Sequence, residues 1–165
     1  MDRREFSALL PALCLLLNEA DGQSAERTEP YTKGTPTRGP VGGPLSGPLR
    51  PVENGVYTPG PAYGTPPQRY SNRLLAGVMQ VGSMQLDIHE SRQEAGTPQE
   101  AVIVHPHNKI WLMREGVAEL MTAGVVRTMR AGDIGFCKGG DPHWMRNIGH
   151  GPCAYFVVTI GPVQG

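Results

Sequence analysis

The stretch GDIGFCKGGDPHWMRN, Gly132–Asn147, decides the fold class of this chain. Two short apolar segments, IGFC and HWMRN, stand on either side of the turn sequence KGGDP. Glycine and proline in such a turn end one extended segment and begin the next. Segments this short have the length of strands and not of helices. The stretch therefore predicts two consecutive strands.

Further short apolar segments surround this pair. They read AVIV, KIWLM, VAELM, VVRTMR and AYFVVTI, and turn sequences containing glycine or proline separate them. The segment from Met84 to His89 alternates strictly between apolar and polar side chains, which predicts a half-buried strand. No segment of this part of the chain shows a helical period. The pattern predicts an antiparallel sandwich or jelly-roll barrel.

The N-terminal sequence MDRREFSALLPALCLLLNEADGQSA, residues 1–25, has the order of an export signal. Charged residues come first, then an apolar run too short to span a bilayer, then small and polar residues. Arg3 and Arg4, followed by Phe6, resemble a twin-arginine signal. The alternative is a short amphipathic or buried helix interrupted at Pro11. We expect an exported protein, periplasmic or extracellular, with no membrane span in its mature form.

Residues 26–71 carry proline and glycine every few positions, which predicts a disordered or polyproline-like arm. Residues 72–165 are expected to form the one folded domain. Lysine plus arginine and aspartate plus glutamate number 15 each, so the formal net charge is zero. This balance gives no support to nucleic acid as a partner.

The spacing within Gly132–Asn147 is similar to the second sequence motif of the cupins. Gly132, Gly140, His143 and Asn147 fall at the motif's positions, and Lys138 replaces its usual proline. The resemblance implies an all-β fold, the cupin double-stranded β-helix or jelly-roll barrel, preceded here by the signal segment and the Pro/Gly-rich arm. It also implies that His143 points into the barrel and that two copies of the chain pair as a homodimer.

The first cupin motif is only partly present. If Gly116 closes it, His105 stands at its second histidine, Ile103 at its first histidine and Lys109 at its glutamate. Isoleucine has no lone pair to offer a metal, and a lysine ammonium repels a dication. Only His105 and His143 therefore remain of the four ligands that the resemblance implies.

Two functions stay open for this barrel. In the first, which we favour, no cofactor is bound and a small anionic or carbohydrate-like molecule occupies a pocket lined by Lys109, His105, His143, Trp111 and Met145. In the second, a metal-dependent oxygenase or isomerase binds iron, manganese, nickel, zinc or copper through a shifted set of three imidazoles, His105, His107 and His143. The position of His107, inside or outside the barrel, distinguishes the two. A structural or interaction protein with a plugged barrel is a third class, and no catalytic residue is assigned.

Three other predictions concern single residues. Cys137 and Cys153 could form a disulfide after export, or be two small buried side chains. His89 is expected to be a half-buried histidine with its hydrogen bonds satisfied. Asn147 is expected to hold backbone groups at a strand end.

Overall fold

The computed structural model describes residues 27–28, for their backbone only, and residues 49–163. The predicted export signal and residues 29–48 of the predicted arm lie outside the described residues. The described strands are β1 (Arg27–Thr28), β2 (Ala62–Thr65), β3 (Arg69–Met79), β4 (Met84–Gln93), β5 (Ile103–Val104), β6 (Asn108–Glu115), β7 (Val117–Thr122), β8 (Val125–Arg130), β9 (Ile134–Cys137), β10 (Pro142–Asn147) and β11 (Cys153–Pro162).

These strands form two antiparallel sheets. The five-stranded sheet has the order β1-β8-β7-β10-β5, and the six-stranded sheet has the order β2-β3-β4-β11-β6-β9. Strands adjacent in sequence often lie in different sheets, as β9 and β10 do, so the chain crosses repeatedly between the two layers. This arrangement confirms the predicted all-β jelly-roll barrel.

Strand structure begins before residue 72, where the sequence placed the start of the domain. Strand β2 and the first residues of β3 fall within the predicted arm and pair with one another from Ala62 to Asn72. Arg27 and Thr28 pair with β8. The part of the arm nearest the domain is therefore an edge of the six-stranded sheet, although its proline content argued against any ladder.

Strand β4 alternates as predicted, but its polar side is the buried one. Gln85, Asp87, His89, Ser91 and Gln93 are at most 9% exposed. Strand β4 lies between β3 and β11, whose side chains supply hydrogen-bond partners for these groups, so their burial is compensated. The interior of this sheet is consequently polar.

The opposite side of the six-stranded sheet, which we call the outer apolar face, is partly exposed. Its central members are cross-strand neighbours, Leu75, Ile88, Val158, Ile110 and Phe136. Phe136 is 57% exposed, and Ile134 on the same edge strand is 68% exposed. Apolar side chains are therefore in contact with water along this edge of the sheet.

The apolar core fills the rest of the space between the sheets. It includes Met113, Leu120, Met129, Met145 and Val157. Trp144 packs with Met121 and Val126 in a separate buried cluster. Within the described residues no helix is long and apolar enough to cross a membrane.

Gly116, the glycine that closes the first motif, meets a conformational requirement. Its φ is +81°, and a Cβ there would lie 2.7 Å from the Cα of Cys153. Both facts exclude a side chain, so β6 can turn tightly into β7 only with glycine at this position. The motif positions of Lys109 and His105, which are counted from Gly116, therefore depend on a residue whose conformation is fixed.

Asn147 and the cysteines Cys137 and Cys153 are buried in the folded domain. Asn147 Nδ2 donates to the carbonyls of Gln93 and Gly151, 2.9 Å each, and its Oδ1 accepts from Gly149 N at 2.8 Å. It holds backbone groups at the end of β10, as expected. Cys137 and Cys153 are both buried and free. The disulfide is therefore not formed, and the alternative of two small buried residues applies.

Candidate ligand-binding site

A cavity of about 160 Å³ lies between the two sheets. Four of the side chains that line it belong to the first motif region: Ile103, His105, Lys109 and Trp111. His143 of the second motif faces them from the other sheet. The two motif regions, distant in sequence, therefore meet at one cavity.

Strand pairing explains how these side chains are positioned. On β6, Lys109 and Trp111 are two residues apart and so share the inner face. Lys109 lies opposite Thr159 of β11 on one side and Cys137 of β9 on the other. His105 follows β5, and its carbonyl accepts a 2.7 Å hydrogen bond from Gly140 N in the turn before β10. That contact holds His105 beside the strand that carries His143.

The two imidazoles form a close and uncharged pair. The ring centroids of His105 and His143 are 5.4 Å apart. Burial, together with the charge of nearby Lys109, lowers the pKa of His105 to about 3 and that of His143 to about 4. Both rings are therefore neutral near pH 7.

The tautomer of His143 is set by its surroundings. Its Nδ1 is 3.3 Å from the carbonyl oxygen of Asp141, to which it donates. The other nitrogen, Nε2, is then an acceptor; it is buried and has no hydrogen-bond partner in the part of the chain that the structure describes. A buried acceptor without a partner beside a cavity is expected to accept a hydrogen bond from a hydroxyl or amine of a bound molecule.

Lys109 is the most unusual group of the cavity. Its Nζ lies 6.0 Å from the centroid of the Trp111 ring, and no hydrogen bond or ion pair joins it to any residue between 49 and 163. Burial lowers the pKa of this amine, and the carboxylate of Glu100 opposes that shift most strongly. A partly buried lysine without a counter-ion is rare, because it must lose its charge or find a ligand.

A second polar cluster lies beside the cavity on β4. Asp87 is fully buried and accepts from Arg73 Nε at 3.0 Å, while its other oxygen is 3.1 Å from His89 Nδ1. His89 also lines the cavity. It is thus a satisfied histidine, as predicted, and it faces the ligand space as well.

His107 lies outside the cavity. Its Nε2 donates to the carbonyl of Pro162 at 2.9 Å, and its ring packs so closely on Gly161 that a Cβ there would be 2.7 Å from His107 Cδ2. The reason is local: β5 ends at Val104 and β6 begins at Asn108, so the intervening segment around Pro106 is not extended and the alternation of a regular strand is lost. The proposed convergence of His105, His107 and His143 is not formed.

The residues present do not fit the metal that the fold family implies. Nowhere in the described chain do three His, Cys, Asp or Glu side chains come together in a way that could hold a metal ion. His105 and His143 are the only donors at the expected positions, while Ile103 supplies no lone pair and Lys109 places a potential cation at the carboxylate position. No step of a mechanism is therefore assigned to a metal.

One predicted ligand-binding residue lies elsewhere, and several lining residues were not predicted. Met145 is fully buried in the apolar core and is not among the side chains that line the cavity. Side chains that the sequence did not single out include Tyr63, Glu100 and Tyr155. Tyr155 lies two residues before Val157 on β11 and shares its face, so the alternation of that strand is the signal that could have indicated it.

Glu100 comes from the loop before β5 and anchors that loop. Its Oε2 accepts from Met145 N at 3.1 Å and its Oε1 from Gln93 Nε2 at 3.2 Å. Arg69 lies 3.6 Å away as a counter-ion. No local sequence pattern marks this residue, because all its partners are distant in sequence.

A larger depression of about 580 Å³ lies outside the barrel, between residues 57–63 and β3. None of the motif residues lines it, and it is open to solvent. It is therefore a less suitable ligand site than the smaller internal cavity.

Comparison with known proteins identifies a domain family and solved structures that this chain resembles. Residues 89–159 match the cupin domain family. No curated protein matches the sequence. Among solved structures, an RmlC-like cupin from Shewanella frigidimarina is similar with a TM-score of 0.52 at 15% identity, over 64% of this chain and 86% of that one.

Two further structures resemble the chain to the same degree. A conserved Klebsiella pneumoniae protein with a double-stranded β-helix domain has a TM-score of 0.51 at 24% identity, over 62% of this chain and 85% of that one. A variant of Bacillus subtilis oxalate decarboxylase has a TM-score of 0.51 at 14% identity, over 64% of this chain but only 29% of that one. At these identities the likeness concerns the fold alone. The two antiparallel sheets and the match over residues 89–159 show that the folded domain has the cupin fold and is similar to cupin domains.

Proposed function

We propose that the barrel binds one small polar molecule, with Lys109 and His143 as its main polar contacts and no metal ion. The observation that carries this proposal is the pair of unsatisfied groups at one cavity, the unpaired amine of Lys109 and the buried acceptor Nε2 of His143. Leaving the buried acceptor of His143 without a partner costs about 1–3 kcal/mol, which a bound molecule would recover.

The size of the cavity limits the ligand. The cavity volume of about 160 Å³ is below the roughly 300–1,000 Å³ of pockets that hold drug-sized ligands. This favours a short hydroxylated compound or short acid over a complete hexose.

The polar groups also indicate the ligand's chemistry. Lys109 requires an oxygen acceptor, and the neutral His143 ring requires a hydroxyl donor. Trp111 lies between them, with its ring centroid 5.4 Å from that of His143. A short carbohydrate-like compound that carries both a carbonyl or carboxylate oxygen and a hydroxyl meets these requirements together.

Ligand-observed NMR and calorimetry would test this proposal. Glycerol, propylene glycol, lactate and glycolate form the short series, and glucose is the size control. We expect binding of at least one short compound, no binding of glucose, and a loss of about tenfold in affinity for Lys109→Met, the typical value of a hydrogen bond to an amine. Lys138→Met, at an exposed lysine, is the matched control. Equal binding by both variants, or no binding to the wild type, would contradict the proposal.

We also propose that two copies of the chain pair through the outer apolar face. Its exposed edge residues, Ile134 and Phe136, are apolar, and charges of both signs border it. Arg114 pairs with Glu90 at 2.6 Å, and Arg92 pairs with Glu115 at 2.7 Å, so no excess charge opposes association of identical surfaces. A two-fold interface requires such a self-complementary patch.

Export remains a proposal based on residues 1–25. Its support is the order of charged, apolar and small residues and the pair Arg3-Arg4. Fractionation of a bacterial host expressing the full chain, with mass spectrometry of its N-terminus, would test it. We expect a shortened chain outside the cytoplasm and its loss when Arg3→Lys and Arg4→Lys are combined. A full-length cytoplasmic chain would contradict export.

A further inference from the structure

We propose that Lys109 acts as a nucleophile toward its ligand and captures the carbonyl carbon of a short hydroxyaldehyde or hydroxyketone as an imine. This inference rests on the proposed binding of a small polar molecule in the barrel cavity. It goes further by assigning a covalent step to the residue that occupies the position of a metal-binding glutamate. The mismatch between the metal site and these side chains is its starting point.

The geometry gives Lys109 the properties of a reactive amine. Its Nζ stands near the face of Trp111, at 6.0 Å from the ring centroid, within a cavity whose other lining residues do not bind it. The exposed Lys138, by contrast, lies 3.5 Å from the Asp141 carboxylate. An amine that no carboxylate holds can lose its proton and attack a carbonyl carbon.

The groups that face Lys109 agree with a neutral amine. Burial lowers its pKa, while the charges of Glu100, Asp87 and Cys137 act in the opposite direction. Glu100 is itself compensated by Arg69, and Asp87 by Arg73, so neither carboxylate is free to hold the ammonium. A desolvated lysine of this kind is the usual nucleophile in imine-forming proteins.

The chemistry balances with the residues of the cavity. The lone pair of Lys109 Nζ forms a bond to the carbonyl carbon, and the electrons of the C=O bond move to oxygen. The imidazole of His143, whose Nε2 has no other partner, transfers one proton from the new ammonium to this oxygen, which gives a carbinolamine. The same ring then transfers the second nitrogen proton to the hydroxyl as the C–O bond breaks. The oxygen leaves as water, and the nitrogen electron pair completes the C=N bond that joins the ligand to Lys109. No oxidant or reductant is consumed.

The cavity favours hydroxycarbonyl compounds over simple aldehydes. His143 lines the cavity, and its buried Nε2 has no hydrogen-bond partner among the described residues. This nitrogen can accept a hydrogen bond from a hydroxyl next to the reacting carbonyl. With a volume of about 160 Å³, the cavity suits hydroxyacetone and compounds of similar size.

Reductive trapping on the intact protein would test the proposal. The protein is incubated with hydroxyacetone and cyanoborohydride, which adds hydride to the C=N bond, and the modified lysines are located by peptide mass spectrometry. The chain has lysines only at Lys33, Lys109 and Lys138, so each can be followed separately. We expect modification of Lys109 to exceed that of Lys138, since burial lowers the pKa of Lys109 and so raises its share of neutral amine.

Two variants and one unreactive ligand separate the possible outcomes. Lys109→Arg keeps a cation but cannot form an imine, and Lys138→Arg is the matched control at an exposed position; circular dichroism checks that both are folded. Loss of the adduct in Lys109→Arg alone would support the proposal. Equal or greater modification of Lys138 in the wild type would overturn it. Propylene glycol binding with no adduct would leave the proposed function intact and refute the imine, and absence of both would refute the two together.

Discussion

The two buried histidines predict a steep loss of stability in mild acid. His105 and His143 are held neutral in the folded state, with pKa values of about 3 and about 4 against 6.5 in a model peptide. As the pH falls below 6.5 the unfolded chain binds protons at both rings, whereas the folded chain does not. Protonation therefore favours unfolding, and the stability present near pH 7 is lost as the pH falls toward 4.

The expected magnitude follows from the size of the shifts. One unit of pKa difference corresponds to about 1.4 kcal/mol, so the free energy of unfolding falls by on the order of 3 kcal/mol per histidine between pH 6.5 and pH 4. A domain of this size has a total stability of about 5–15 kcal/mol. The two rings together are thus able to remove a large part of it.

Urea unfolding at a series of pH values, followed by the fluorescence of Trp111 and Trp144, measures this effect. Carboxylates also titrate in acid, so the informative quantity is the difference between variants. His143→Gln should reduce the slope of unfolding free energy against pH by about 1.4 kcal/mol per pH unit below pH 6.5. His150→Gln, in an exposed loop, should leave the slope unchanged. Parallel slopes for the wild type and His143→Gln would refute the assignment of a buried neutral ring.

Three further outcomes are expected. Gly161→Ala would place a Cβ 2.7 Å from the ring of His107 and should lower the free energy of unfolding in urea by about 1–3 kcal/mol. Gly151→Ala, with no atom within 4 Å of its Cβ, is the control and should lower it far less. Equal unfolding midpoints for the two variants would contradict the packing of His107 on Gly161. Phe136→Asp should convert a dimer to a monomer in light scattering without loss of β-sheet signal, and a wild type that is monomeric would contradict the proposed interface. Asn147→Ala removes three hydrogen bonds to backbone groups and should lower the unfolding free energy by about 1–3 kcal/mol; an unchanged midpoint would show that they contribute nothing.

The placement of the main site residues could be predicted from the sequence because it depends on spacing. Lys109 was counted back from Gly116, whose positive φ fixes the end of β6, and alternation along that strand then directs Lys109 and Trp111 inward. His143 was placed by the turn before β10. Fixed turns and a strict period of two are both local properties, so a single sequence contains them.

Other features depend on contacts that no local pattern contains. The alternation of β4 predicts a strand, but the same pattern is compatible with either side facing the interior. The polar side turns inward because Arg73, from the neighbouring strand, offers Asp87 a partner at 3.0 Å. Spacing is compatible with His107 inside or outside the barrel, because Pro106 ends the regular alternation of the strand. Glu100 reaches the cavity only through partners that are distant in sequence.

The replacement of a metal-binding glutamate by lysine need not end chemistry at this site. A bound metal ion activates a carbonyl by withdrawing electrons from its oxygen, and a lysine amine achieves a comparable effect by converting the carbonyl to a protonated imine. The second requires no additional metal ligands, so Ile103 is compatible with it. It requires a base in the same cavity, and the unpaired Nε2 of His143 is available there. It also requires that the amine be free of carboxylate partners, and Asp87 and Glu100 are each paired with an arginine. The features that disqualify the cavity as a metal site are therefore the ones that an imine-forming lysine needs.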